Sequence, residues 1–242
     1  MKFIGIIPAR FASSRFPGKP LAEIQGRTMV QRVYQQAKQS KILSEVYVAT
    51  DDERIEGHVK EFGGKVVVTS RDHQSGTDRC FEAIKKIDRG NCDIVINIQG
   101  DEPFIHPAQI DKVGSCFKSE GIQIATLVKK INKKEELLNV NIPKVIFNKD
   151  KKAIYFSRTA IPYYRGKDIS EAISLHAYYK HIGIYAYRIE VLEAITQLSP
   201  TALELAESLE QLRWLENGYK INIEITELES IAIDTPEDLK RI

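Results

Sequence analysis

Four short runs in the first hundred residues are apolar but for Lys65 and Asn97: residues 3–7, 46–49, 65–68 and 94–98. A strand with one face in water alternates polar and apolar side chains, so an uninterrupted apolar run belongs to a strand covered on both faces. Between the runs, Met29, Val30, Val33 and Ala37 have helical spacing, a polar helix is expected over 53–62, and another over 79–87. Buried strands alternating with helices predict an α/β fold around a parallel sheet. Such open sheets bind ligands beyond the carboxyl ends of their strands, which is where chemistry is to be sought.

After Gly121 the rhythm changes. Residues 123–129, 144–148, 153–156 and 181–187 read as strands with few helices between them, so 122–190 is expected to form an inserted antiparallel or mixed subregion, a lid or an oligomer surface. Helical spacing returns over 201–215, followed by short strands at 221–225 and 230–233. Thr235-Pro236-Glu237-Asp238 then starts a helix with proline at its first position. Residues 1–242 read as a single domain, with no linker or repeat.

Charge narrows the function classes. The 35 Lys and Arg against 33 Asp and Glu leave +2, too little excess for a general nucleic-acid or membrane binder. Cys80, Cys92 and Cys116 form no Cys-x-x-Cys pair and are odd in number, which suits free thiols in a reducing compartment. Pro8 and Arg10 cut short the N-terminal apolar run, and no other run reaches spanning length, so a cytoplasmic location is expected.

The first strand runs into a loop without acids. No Asp or Glu precedes Glu23, whereas Arg10, Arg15 and Lys19 all fall between residues 8 and 20, among small residues that let backbone N–H groups approach a ligand. That combination suits a triphosphate; a solvated basic turn is the alternative. It is not a Walker loop, since Pro20 comes directly after Gly18-Lys19 and Ser13 stands where the first glycine belongs, and no Gly-x-Gly-x-x-Gly occurs. At the end of the fourth run, Gly100-Asp101 places a carboxylate at the ligand edge, and Asp234 ends the run 231–233. Together they could hold Mg²⁺ on a phosphate, or each could be a turn or cap residue. In residues 72–79, Gly76 among small polar residues could approach a base or ribose, although an N-cap by Ser75 or Thr77 explains the pattern equally well. The five histidines have no zinc-ligand spacing.

Taken together, these segments resemble the 3-deoxy-manno-octulosonate (Kdo) cytidylyltransferase family over essentially the whole chain. The resemblance is carried by residues 7–10 through 18–21, 72–79, 99–103, 155–158, 181–185, 209–213 and 234–238. The basic loop is shared with other sugar nucleotidyltransferases; the later stretches are more specific. The resemblance implies a Rossmann-like three-layer nucleotide-diphospho-sugar transferase fold, a homodimer, and an Mg²⁺-dependent reaction of CTP with Kdo to give CMP-Kdo and pyrophosphate for lipopolysaccharide assembly. It implies that Arg10, Lys19, Asp101 and Asp234 carry the chemistry, with both aspartates on the metal. Pro8, Ala9, Arg10, Ser13, Arg15, Lys19, Gln74, Ser75, Gly76, Arg79 and Gln99 would surround the nucleotide. Arg158, Arg165, His181, Tyr185, Glu210 and Gln211 would line the sugar-acid pocket. Asn139, Pro143 and residues 198–207 depart from the family pattern. The same chemistry on an 8-amino Kdo or a sialic-acid-like sugar, and a nucleotide-binding regulator without turnover, are the alternatives. A metal-dependent glycosyltransferase fits less well, because Gly100-Asp101-Glu102 lacks a second Asp two residues on.

Overall fold

The first strand, β1 (Phe3–Ala9), is covered on both faces, with Ile4 and Ile6 in one core and Ile7 and Ala9 in the other, which is what a run with no polar position requires. The computed structural model describes residues 1–12, 16–87, 91–229 and 232–239. After β1 a two-residue turn joins β2 (Glu23–Ile24) to β3 (Arg27–Thr28), with Gln25 and Gly26 both at positive φ. Then come α1 (Met29–Ala37), β4 (Leu43–Thr50), α2 (Glu53–Glu61), β5 (Val66–Val68), α3 (Gly76–Ile87), β6 (Ile94–Asn97) and α4 (Pro107–Ser115). The second half holds β7 (Ile124–Lys130), α5 (Lys134–Leu138), β8 (Lys144–Phe147), β9 (Ala153–Ser157), α6 (Ile169–Leu175), β10 (Tyr179–Arg188), α7 (Ile189–Thr196), α8 (Ala202–Glu207), α9 (Gln211–Glu216), β11 (Ile221–Ile225) and α10 (Pro236–Leu239).

The strand order is β11-β7-β10-β6-β1-β4-β5. β5, β4, β1 and β6 are parallel neighbours, as are β11 and β7, while β10 is antiparallel to both β6 and β7. The sheet is therefore mixed and mostly parallel, and it is covered on both faces. One core joins α1, α2 and α4 to the sheet through Val33, Ile55 and Ile110; the other joins α3, α7 and α9 through Ile84, Leu192 and Trp214. From β1 the chain first builds outward through β4 and β5, then returns to place β6 on the other side of β1. The crevice between the carboxyl ends of β1 and β6 is thus the switch point at which such sheets bind ligands.

Several expectations change. The run 65–68 becomes an edge strand, with Val66 packed on one core, Val67 on the other and Val68 49% exposed. The segment 122–190 is not set apart from the sheet: β7 and β10, near its two ends, are central-sheet strands, and β8, β9, α5 and α6 lie off the main strand order. The helix expected over 201–215 is two helices. Ser208 takes a left-handed φ of 51°, and the chain folds back so that Arg213 donates Nε and Nη2 to the Glu204 carboxylate at 2.7 and 2.6 Å. A continuous helix would put these residues nine apart, on different turns and out of reach. Of the strand expected at 230–233, residues 230 and 231 lie outside the described residues. Ala232 and Ile233 are not in a strand; the Ile233 N–H donates to the carbonyl of Asp101 at 2.9 Å. Pro143 supplies its carbonyl to the His181 N–H at 2.9 Å just before β8 begins, a position where its missing N–H costs no ladder bond.

Candidate active site

At the switch point the backbones of β1 and the β6 extension approach closely. A Cβ on Gly100 would lie 2.6 Å from the Pro8 carbonyl oxygen, so only glycine allows this approach. Ile98 donates its N–H to Ile6 O at 2.9 Å, which carries the parallel pairing past the last β6 residue and sets Asp101 beyond the sheet. Gly18, at φ 73°, lets the basic loop turn back, and its N–H bonds Phe11 O at 2.9 Å. A short 3₁₀ turn, Lys19–Leu21, then aims Lys19 inward. Asp234 arrives from the far end of the chain. Ile233 is fully buried against Ile24 and Met29 in a small cluster with Phe16, Phe104 and Leu239, and the Asp238 carboxylate accepts the N–H groups of Asp234 and Thr235.

The result is a polar cavity of about 240 Å³ lined by Pro8, Ala9, Arg10, Lys19, Gln74, Ser75, Gly76, Arg79, Gln99, Asp101 and Asp234, among others. Every nucleotide, catalytic and metal residue expected from the sequence is in this wall except Ser13 and Arg15, which lie outside the described residues. His73, Pro20 and Gly100 complete it. The Lys19 ammonium sits 2.7 Å from Asp101 Oδ2 and 3.4 Å from Asp234 Oδ1. The two carboxylates, 133 residues apart in sequence, therefore converge on a single cation.

That convergence tests the fit of a divalent metal. No cluster of three or more His, Cys, Asp or Glu occurs among the described residues, so an all-protein cage is not what this site offers. Two hard carboxylate donors facing a polar cavity match Mg²⁺, which usually takes one or two carboxylates and completes its shell with phosphate oxygens and water.

Opposite the carboxylates, α3 opens toward the cavity. Ser75 Oγ accepts the Asp78 N–H at 3.1 Å, and Gly76 packs on Pro8 with room for no more than ordinary contact. Helix-start N–H groups in a wall of small residues suit an anion or the edge of a base. Arg79 is 3% exposed and committed to the wall: Nη1 donates to Thr69 Oγ1 at 2.6 Å and Nη2 pairs with Asp51 at 3.4 Å. Gln99 reaches the other way, donating Nε2 to Gly183 O at 2.9 Å where the β10 register shifts.

None of the expected sugar-acid residues lines this cavity. His181 and Tyr185 lie behind it on one face of β10, in an aromatic ladder: Phe156–His181 centroids 5.3 Å apart, His181–Tyr185 5.1 Å, Tyr185–Tyr187 5.8 Å, with Trp214 edge-on to both tyrosines. Thr126 donates to the Ile184 carbonyl at 2.7 Å, which leaves its oxygen to accept from His181 Nε2 at 3.0 Å. Burial pushes the His181 imidazole down to about 3, so the ring is neutral. Burial also raises the Tyr185 and Tyr187 hydroxyls well above the usual phenol range and lifts the Glu210 carboxyl above its ordinary value. Near this ladder the hydroxyls of Tyr185 and Tyr187, Gln211 Nε2, Trp214 Nε1 and Asn97 Oδ1 are buried without a well-formed hydrogen bond. Native interiors rarely leave such groups unmatched, so this concentration calls for a polar partner, water or ligand.

Arg158 and Arg165 stand apart. The Arg158 guanidinium spends its three nitrogens on the carbonyls of Glu207, Ser208 and Val140, at 2.6 to 3.1 Å, instead of presenting an open fork. Arg165 is on an exposed turn. Tyr187, Trp214 and Asn97 were not singled out from the sequence. The period-two rule could have found Tyr187, two residues beyond Tyr185 on the same strand face; Asn97, the register partner of Tyr185, needs the sheet order.

A family model described as cytidylyltransferase matches residues 4–223. A 3-deoxy-manno-octulosonate cytidylyltransferase of Parabacteroides distasonis is 61% identical, covering 100% of this chain and 96% of the relative. One of Cytophaga hutchinsonii is 54% identical with the same coverage. Among solved structures, CMP:2-keto-3-deoxy-manno-octonic acid synthetase complexed with CTP superposes with a TM-score of 0.91 at 42% identity, covering 100% of this chain and 96% of that one. A 4-diphosphocytidyl-2C-methyl-D-erythritol synthase from Anaerococcus prevotii, 16% identical with a TM-score of 0.62 over 99% and 96% of the two chains, shares the fold.

Proposed function

The chain belongs to the 3-deoxy-manno-octulosonate cytidylyltransferase family, and from that premise we propose that it joins CTP to Kdo, releasing pyrophosphate and forming CMP-Kdo for lipopolysaccharide assembly. The observation that carries this reading is the convergence of Asp101, Asp234 and Lys19 at the β1/β6 crevice, beside a basic loop and the start of α3. Asp101 and Asp234 would hold Mg²⁺. When bound, the metal supplies Lewis-acid charge stabilisation and orientation at the α-phosphate and at the attacking anomeric hydroxyl. With the carboxylates so engaged, Lys19 turns its ammonium to a phosphate oxygen and, with Arg10, offsets the charge that grows on the departing pyrophosphate. Gln74, Ser75, Gly76 and Gln99, with Pro8 and Ala9, hold the cytidine, and Arg79 fixes the wall through Thr69 and Asp51. The sugar acid takes the β10 side, where His181, Tyr185, Glu210 and Gln211 supply neutral or acceptor groups for hydroxyls. A homodimer and a cytoplasmic location complete the proposal; no helix among the described residues is long and apolar enough to cross a membrane.

The reaction is tested by pyrophosphate release from CTP with Mg²⁺, with and without Kdo, in the native chain and in Asp101→Ala. Kdo-dependent release that collapses in the variant supports the reading. Release indifferent to Kdo, or faster with an 8-amino Kdo or a sialic acid than with Kdo, sends the acceptor assignment elsewhere. Retained CTP binding with no release under any of these sugars points to a regulator.

A further inference from the structure

The nucleotide cavity and the sugar-acid side meet where the first turn of α3 reaches Glu210. Thr77, in the first turn of α3 and 2% exposed, donates its hydroxyl to Glu210 Oε2 at 2.8 Å. It comes directly after Ser75 and Gly76, which wall the cavity. The Ser75 hydroxyl lies beside the same carboxylate, and the Tyr187 hydroxyl lies beside Thr77. Glu210 immediately precedes Gln211 and α9, whose Trp214 caps the aromatic ladder.

We propose that Thr77 is a positioning residue that couples the two substrates, holding the Glu210 carboxylate against the first turn of α3 so that sugar-acid binding depends on nucleotide binding. The inference rests on the reading above, in which Glu210 contacts the sugar acid. The first turn of a helix moves as a unit, because the N–H groups of Asp78 and Arg79 are tied to Ser75. A nucleotide pressed against Ser75 and Gly76 therefore fixes Thr77, and through it one oxygen of Glu210, leaving the other aimed and ready. Without the nucleotide the sugar must order the turn and the carboxylate itself. By linkage the effect is reciprocal: the sugar tightens nucleotide binding by the same factor.

A hydrogen bond that merely pinned α3 to α9 would lower stability and weaken both substrates together. Coupling has a different signature, and titration calorimetry reads it. The dissociation constant of Kdo is measured on the full chain with Mg²⁺, alone and with saturating α,β-methylene-CTP, for the native protein, Thr77→Val and Thr77→Ser, with thermal melts in parallel. The native chain should bind Kdo at least about fivefold more tightly with the nucleotide, within the usual range of site–site coupling. Thr77→Val should bring that ratio to within about twofold of unity while leaving affinity for the nucleotide alone unchanged, and Thr77→Ser should restore it. Should Thr77→Val melt, Thr77→Ala is read in its place. A valine or alanine variant with the native ratio overturns the coupling role and leaves the reaction standing. Failure of the native chain to bind Kdo under either condition overturns the assignment of the sugar site and the coupling with it.

Discussion

The nucleotide cavity is made largely of backbone, whereas the β10 side is made of side chains. In the cavity, Gly100 admits Pro8 O, Gly18 turns the loop, and Gly76 at the start of α3 packs on Pro8. The reactive side chains are few, charged and already in contact, with Lys19 between two carboxylates. On β10 the aromatic rings stack tightly while the Tyr185 and Tyr187 hydroxyls lack a well-formed hydrogen bond, and the one imidazole is held neutral. A preformed charged pocket suits a triphosphate, which brings charge of its own. A neutral, partly unsatisfied face suits a polyhydroxylated acid, which brings the missing donors and acceptors. Binding strength and selectivity should thus divide between the two regions.

Changes in the cavity should strike the rate hardest. Lys19→Ala should cost about 10²- to 10³-fold in kcat, the size expected for one preorganised contact to developing charge, in a steady-state pyrophosphate assay. A loss of only a few-fold would remove Lys19 from the chemistry and leave it as a counter-ion to Asp101 and Asp234. Gly100→Ala tests the backbone half of the contrast. Its Cβ would meet Pro8 O at 2.6 Å, so the strand ends must part. Chemical denaturation should show a loss of about 1–3 kcal/mol, the usual cost of forced overpacking, along with weaker CTP binding.

The β10 side should reveal itself through pH. His181 titrates near 3 in the folded chain against an ordinary 6.5, so below pH 6.5 the unfolded chain takes up a proton that the folded one refuses. Stability should therefore fall as pH drops from 6.5 towards 3, by at most about 1.4 kcal/mol per unit from this group. His181→Gln should flatten that part of the profile measured by urea unfolding; an unchanged slope would mean that the ring is not held neutral. The smallest effect should come from Tyr187→Phe. Its hydroxyl completes no good bond, so removing it should change stability by less than about 1 kcal/mol. A larger loss would show that this face is already satisfied.

The same contrast explains what could be read from the sequence. The cavity is written in contiguous segments that end buried strands, so Arg10, Lys19, Gly76 and Asp101 could be placed at the ligand edge from apolar runs and glycines alone. Asp234 was legible for the same reason, although the strand expected before it does not form at Ala232 and Ile233. The β10 face carries no such punctuation. His181 and Tyr185 are ordinary strand positions, and Glu210 passes for the polar side of a helix; only the family resemblance singled them out. The break at Ser208 was hidden because it depends on Arg213 closing onto Glu204 across the turn. The place of β7 and β10 inside the main sheet depends on strand order, which local periodicity does not encode.

The division of labour between the two regions is tested most directly by His181→Ala, with both substrates varied in a steady-state pyrophosphate assay. The account predicts that KM for Kdo rises about tenfold or more while KM for CTP, measured at saturating Kdo, stays within about twofold of the native value. An equal rise in both constants, or a rise for CTP alone, would contradict it.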